Sequence, residues 1–335
     1  MPNRPRITIR DVAARAGVSH QTVSRVINND ERVSHETRIK VETAISELGY
    51  HPNAIARDMA LDHPHAFACL SPNLTDFTLA SIIEGAAAEA LKYGYYLISA
   101  SAPDDKTFSS LIDQLISTRR TAGLIVLNPY ADGRHAGIPN NVPTVFVGAR
   151  PREEAIDSVS LDDEAAGRSA TQYLIDLGHR RIAHLTGPIE EDCSQDRQAG
   201  YQQALHVAGL QLDPALIIEG DWSATAGYNA VRQWIKYHVP FTALFAQNDR
   251  MAVGAMRALR EAGKRVPEDI SVIGFDDMPL ASYFDPPLTT MHQDMLGIGR
   301  EAARLMVKAV KGPHAQTRHL KFPAELIVRQ STSRI

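Results

Sequence analysis

A chain of 335 residues outruns the roughly 100–200 residues of a usual domain, so two or three folded units are expected. With 44% apolar and 22% charged residues it has the make-up of an ordinary globular protein, which excludes disordered and fibrous classes. Two cysteines, Cys69 and Cys193, have no Cys or His partner at ligand spacing, which argues against a disulfide framework or a zinc site.

The net charge of −4 divides unevenly: residues 1–60 carry +2 and the remainder −6. A head so mildly basic makes only a weak electrostatic case for nucleic acid. The first ten residues lack the apolar core of a signal peptide, and no apolar run reaches membrane-spanning length, so a reducing cytoplasm is the expected home.

In chain order, Thr8 with Asp11 three residues on predicts a capped helix bearing Val12, Ala13 and Ala16, ended at Gly17. Ser19 starts a second helix with Val23, Val26 and Ile27 inward. Ser34 starts a third, carrying Ile39, Ala44, Ile45 and Leu48 inward as far as Gly49. Pro52 then breaks the pattern, and the next residues suffice for only about two helical turns, too few for a stable isolated helix. They read as a conditional hinge.

From Ala66 the sequence alternates short apolar runs (AFACLS, YYLISA, GLIVL, TVFVGA, RIAHLTG, ALIIEG, TALFAQND, ISVIGFDD) with helical stretches beginning near Leu79, Thr107, Glu164, Asp196, Ala224, Arg250 and Asp294. That alternation predicts parallel α/β layers, with about ten strands in two sheets facing a cleft. Ligands of open parallel sheets sit beyond the strands' carboxyl ends, which is where Ser71, Asn128, Asn248 and Asp276 fall.

Helix, tight turn at Gly17-Val18 and a second helix from Ser19 match helix-turn-helix spacing, in which the second helix enters the major groove. His20, Gln21, Thr22, Ser24, Arg25 and Asn28 on that helix can all hydrogen-bond, and Gln and Arg can pair bidentately with adenine and guanine edges. The bland reading, a solvated polar helix face, weighs about evenly against this on the residues alone.

The run TIRDVAARAGVSHQTVSRVINNDERVSHETRIKVETAISELGYHPNAIARDMA closely resembles the DNA-binding head and hinge of the lactose-repressor family, and the resemblance extends over essentially the whole chain. It implies an all-α helix-turn-helix head (residues 1–51), a hinge helix and linker (52–63), and a sensor (64–335) resembling a periplasmic sugar-binding protein. The sensor would comprise two doubly wound α/β subdomains, 64–161 with 292–321 and 162–291 with 322–335. It further implies phosphate contacts from Thr8, Ser19, Ser34, Thr37 and Asn53, and base reading by His20, Gln21 and Arg25. Ala56 is counted among the DNA-binding residues, and paired hinge helices would enter the minor groove with Met59 where relatives place a wedging leucine and Asp58 as an uncomfortable acidic neighbour.

In the sensor the same resemblance points Arg197, Trp222, Asn248 and Asp276 into the cleft, with Ser71, Phe77 and Gln293 as further candidates from the other subdomain. Arg and Asp suit vicinal hydroxyls, Asn can both donate and accept, and an indole covers the apolar face of a sugar ring. Each has a bland alternative as core or helix cap. Acid at Glu190, Glu191 and Asp192 disfavours a phosphorylated ligand, so a neutral sugar is expected, with a purine or other metabolite acting as corepressor kept open.

Gly297-Ile298-Gly299 imitates a dinucleotide fingerprint without its strand context. No catalytic, cofactor or metal motif stands out, so an enzyme is the weakest reading. A free-standing sugar receptor is the main rival from another class. A homodimer on pseudo-palindromic operator DNA is expected, since one head reads a half-site and no heptad tail of leucines follows the last strand-like run.

Overall fold

The computed structural model describes residues 7–27, 30, 32–50, 64–118, 120–128, 133–148, 150, 156–312 and 317–335. The chain divides into two compact units, Met1–Pro64 and His65–Ile335.

Among the described residues of the first unit there are three helices: α1 (Ile9–Ala16), α2 (His20–Ile27) and α3 (His35–Leu48). The Thr8 amide and hydroxyl both donate to Asp11 Oδ2 at 2.7 Å, and Gly17 ends α1 at φ 66°, a backbone state glycine adopts without a Cβ clash. Ser19 Oγ accepts the Thr22 amide and Ser34 Oγ the Thr37 amide, capping α2 and α3. Val12, Ala13, Val23, Val26, Val41 and Ala44 form the core. Val41 takes the inward place expected of Ile39, which is 49% exposed. Arg38 joins helices by donating to the Val26 and Asp30 carbonyls at 3.4 and 3.1 Å. The expected hinge, residues 52–63, lies outside the described residues, and with it Asn53, Ala56, Asp58 and Met59; Asn28 does too.

The described residues of the second unit form two six-stranded sheets. The first contains β1 (Ala66–Ser71), β2 (Tyr96–Ser101), β3 (Gly123–Leu127), β4 (Thr144–Val147), β5 (Asp157–Leu161) and β11 (His319–Phe322), in the order β11-β5-β4-β3-β1-β2. The second contains β6 (Ile182–Thr186), β7 (Ile217–Glu219), β8 (Ala243–Ala246), β9 (Ser271–Asp276), β10 (Thr289–Gln293) and β12 (Ala324–Ile327), in the order β12-β10-β9-β8-β6-β7. Every pairing is parallel except β10 with β12. Buried on both faces, strands such as GLIVL read as continuous apolar runs.

Helices α4 (Phe77–Lys92), α5 (Asp105–Ser117), α6 (Asp163–Asp176), α7 (Asp192–Val207), α8 (Ala224–Lys236), α9 (Asp249–Glu261) and α10 (Met295–Lys311) complete the layers. Three helix pairs touch backbone to backbone through reciprocal glycines: Gly85 and Gly299 join α4 to α10, Gly167 and Gly200 join α6 to α7, and Gly227 and Gly254 join α8 to α9. A Cβ at any of the six would overlap the facing main chain. Gly299 thus serves packing, which disposes of the imitation dinucleotide motif.

The chain passes between halves after β5, after β10 and through Pro323 between β11 and β12. His292 and Gln293 pair within the second sheet, so the crossing expected at residues 291–292 lies two residues later and Gln293 belongs to the second half.

Candidate ligand cavity and nucleic-acid interface

The carboxyl ends of strands from both sheets converge on a cavity of about 290 Å³, near the lower end of the ~300–1,000 Å³ usual for small-molecule sites. Of the seven sensor candidates, Arg197, Trp222, Asn248, Asp276 and Gln293 line it, and Ser71 and Phe77 do not. Ser71 is buried with its hydroxyl donating to the Asn73 carbonyl at 3.1 Å. Phe77 opens α4, and Thr78, Leu79 and Ile82 instead present that helix to the cavity.

Arg197, on α7, is buried and fixed from three sides. Nε donates to Asp163 Oδ1 at 2.7 Å, Nη1 to the Gln247 carbonyl at 2.6 Å, and the guanidinium carbon lies 3.6 Å from the Phe275 ring centroid. Aromatic face and carboxylate together offset the cost of burying the charge. Gln247, itself buried, accepts the Gly187 amide at 3.0 Å and donates to the Ser194 carbonyl at 3.1 Å, which locks the β6–α7 turn.

Trp222 rests on Gly187, where any side chain would overlap its ring. Its indole N–H donates to Glu191 Oε1 at 3.1 Å. Asn248 holds the tryptophan turn: Oδ1 caps α9 through the Met251 amide and Nδ2 donates one hydrogen to the Trp222 carbonyl, leaving its second N–H for the cavity that Asn248 lines. Gln293 Nε2 donates to Asp276 Oδ1 at 2.6 Å, and burial pushes the Asp276 carboxyl well above the usual carboxylate range against the nearby charge of Arg197. Burial also raises the Glu191 carboxyl.

Asn128, Trp222 and Asp276, all in the cavity wall, have φ of 49°, 67° and 112°. Positive φ costs a non-glycine residue about 1–3 kcal/mol and gathers at functional sites. Asp76, Asp163, Asp221 and Arg250 also line the cavity and were not singled out from sequence. The same signal that marked Asn248 would have found them, since each closely follows a strand's carboxyl end. Among the described lining residues five carboxylates face two guanidiniums, and both guanidiniums are paired inside, Arg197 with Asp163 and Arg250 with Asp76.

In the first unit His20, Gln21 and Arg25 are exposed on one short helix, while Thr22 and Ser24 are half-buried. Thr8, Ser19 and Ser34 are exposed at helix starts and Thr37 is half-buried, its hydroxyl 2.9 Å from that of Ser34. Helix starts present amide N–H groups suited to phosphate.

Residues 8–53 match the model for bacterial regulatory proteins of the lacI family, and residues 171–332 that for the periplasmic binding protein-like domain. The chain is 36% identical over 327 residues to the ribose operon repressor of Escherichia coli (strain K12), covering 97% of this chain and 99% of that protein. It belongs to the lacI family.

Another relative in the family is the HTH-type transcriptional repressor CytR of the same organism, 36% identical over 97% of this chain and 96% of its own length. Among solved structures, the Lac repressor dimer bound to operator and the anti-inducer ONPF superimposes with a TM-score of 0.90 at 32% identity, covering 98% of this chain and 100% of that one. The transcriptional regulator CelR–cellobiose complex gives 0.76 at 34%, with the same coverage. Like these lacI-family relatives, the chain is a DNA-binding regulator and not an enzyme. No helix among the described residues is long and apolar enough to cross a membrane.

Proposed function

We propose that this regulator is a cytoplasmic homodimeric repressor of carbohydrate-utilisation genes, whose hold on operator DNA is set by a small neutral sugar in the Arg197–Asp276 cavity. The observation that carries the ligand class is the charge balance. With both guanidiniums paired internally, neither is left to receive a phosphate or carboxylate, while Glu191, Asp221 and Asp276 offer hydrogen-bonding oxygens suited to a hydroxyl-rich neutral ligand. A volume of about 290 Å³ favours a monosaccharide over a longer chain. Trp222 is the single aromatic ring among the described lining residues, so a planar purine would stack on one side only.

Two-fold pairing is supported by an apolar strip at one edge of the first sheet. Tyr96 and Ile98 on the edge strand β2, with Leu91 and Tyr93 before it, are 66%, 42%, 59% and 48% exposed. Such a strip on an unpaired edge calls for cover.

Fluorescence anisotropy on DNA from upstream of the protein's own gene, at fixed salt, tests the reading against ribose, other neutral monosaccharides, their phosphates and purine bases. Release by one neutral sugar alone is expected. Binding that requires a purine would replace the reading with a corepressor system. Arg25→Ala should lose operator affinity by about 1–3 kcal/mol while sugar binding stays unchanged.

A further inference from the structure

The two halves of the sensor are joined across the cavity by side-chain contacts. Arg250 Nη2, in the first turn of α9 on the second half, donates to Asp76 Oδ2 on the first half at 2.6 Å. Asp76 Oδ1 meanwhile accepts the Thr78 and Leu79 amides and caps α4. Two further contacts flank this one: Asn128 Nδ2 to Glu191 Oε2 at 3.3 Å, and Arg150 Nη2 to Asp192 Oδ1 at 3.1 Å.

Helix stability accounts for Asp76, because a carboxylate at an N-cap suits the helix dipole. It does not account for Arg250, whose cation sits at the positive end of α9 and opposes that helix's dipole. A second carboxylate lies on Arg250's own half. Asp221 lines the same mouth, and its carboxyl is held below the usual range by hydrogen bonds from Ser223 and, to a smaller extent, by the charge of Arg250. Arg250 therefore pairs with one carboxylate, Asp76, across the cleft and shares the cavity lining with a second, Asp221, on its own side.

We propose that Arg250 is a two-position latch: paired with Asp76 it holds the sensor closed, and on opening it transfers to Asp221. The balance between these pairings sets how far the sensor closes before any sugar arrives, and hence the apparent sugar affinity. The latch is a property of the cleft itself, and only its regulatory consequence rests on reading the cavity as the effector site. A partly exposed pair of this kind shifts a closed-to-open ratio by about two- to fivefold and weakens as salt screens it.

The full-length protein contains its own reporter. Trp222 walls the cavity, whereas Trp234, the other tryptophan, is buried in the core at 1% exposure, so acrylamide quenching follows Trp222. Asp76→Asn keeps an N-cap acceptor and removes the charge. It should raise Trp222 quenching at low salt and shrink the rise that added NaCl produces in the wild type, the remainder coming from the Arg150–Asp192 pair. Asp221→Asn, which keeps the Ser223 contact, should lower quenching below wild type. Thermal melts confirm that each variant is folded. Wild-type quenching in Asp76→Asn and Arg250→Gln, or the same change in Asp76→Asn and Asp221→Asn, would overturn the latch. With D-ribose as probe, apparent affinity should fall about two- to fivefold in Asp76→Asn. If quenching shifts as expected but neither ribose nor another neutral monosaccharide alters it, the latch stands and the sugar reading of the cavity fails.

Discussion

Single buried groups make the sensor's stability depend on pH in two opposed ways. Asp249, whose oxygens accept the Thr290 hydroxyl at 2.6 Å and the Met278 amide at 2.8 Å, is pushed up to about 7 mainly by burial, and burial pushes Asp276 well above its usual range. Both hold protons in the fold that an unfolded chain releases near pH 4, so their share of stability falls as pH rises. His184, stacked 4.3 Å from Tyr201 and pushed down to about 3 by burial, acts the other way, as does His179. Their stabilisation increases with pH and is complete above an unfolded histidine value of about 6.5. Unfolding free energy should therefore decline between about pH 6.5, where the histidine share is complete, and about pH 7, above which the contribution of Asp249 levels off, by no more than about 1.4 kcal/mol per pH unit for each carboxyl. Denaturant titrations at the two pH values check this, and a rise would mean that Asp249 and Asp276 are ionised in the native sensor. At this scale sequence was informative about chemistry and less so about geometry. Asp276 could be chosen because a charged residue at a strand's end has few structural excuses, whereas Arg197, within α7, came only through the family resemblance. Asn248 could not be told from a helix cap, because an Asn serves a ligand or the next helix equally well until the turn is built.

The helix pairs carry the site by contact of main chain on main chain. Gly200 of α7 meets the Glu164 carbonyl and the Arg168 amide of α6, and these two helices bear Arg197 and Asp163. Gly200→Ala should force them apart, lowering sensor stability by about 1–3 kcal/mol as overpacking does, and weakening ligand binding with it. Guanidinium unfolding beside Gly209→Ala gives the comparison, because a Cβ at that positive-φ turn meets nothing within 4 Å and tests backbone strain alone. An unchanged midpoint in Gly200→Ala would refute the close packing. Most elements were legible because doubly buried parallel strands form apolar blocks between amphipathic helices. The strands DSVSL (β5) and TTMHQ (β10) escaped notice because their polar side chains find partners inside. The Ser158 hydroxyl lies 3.0 Å from His319 Nδ1, Asp157 Oδ1 accepts the Arg318 amide, and the Thr290 hydroxyl donates to Asp249. Sequence shows that such a residue is polar, and not that a partner 41 or 161 residues away awaits it.

For the molecule as a whole, one head covers one half-site, so operator affinity depends on pairing two chains. Charge placed on the apolar strip of β2 separates the two activities: Tyr96→Asp with Ile98→Asp should give monomers in sedimentation velocity, weaken operator binding at least tenfold, and leave sugar binding intact, since neither residue lines the cavity. A dimer persisting in this variant would move the interface elsewhere. The two-unit plan itself was readable from a change of period, helical before residue 50 and alternating after residue 66.

Residues 319–333 close both sheets of the sensor. β11 joins the first, β12 the second, with only Pro323 between them, and Ser331 and Ser333 bond to the second sheet at Thr289, Val272 and Ser271. On the ribosome, neither sheet can be completed until this stretch emerges, whereas the three-helix head needs only its own first fifty residues. At ~5–20 residues per second the interval is roughly 15–60 s. For that time each nascent chain carries a DNA-reading head before it has a sensor able to respond.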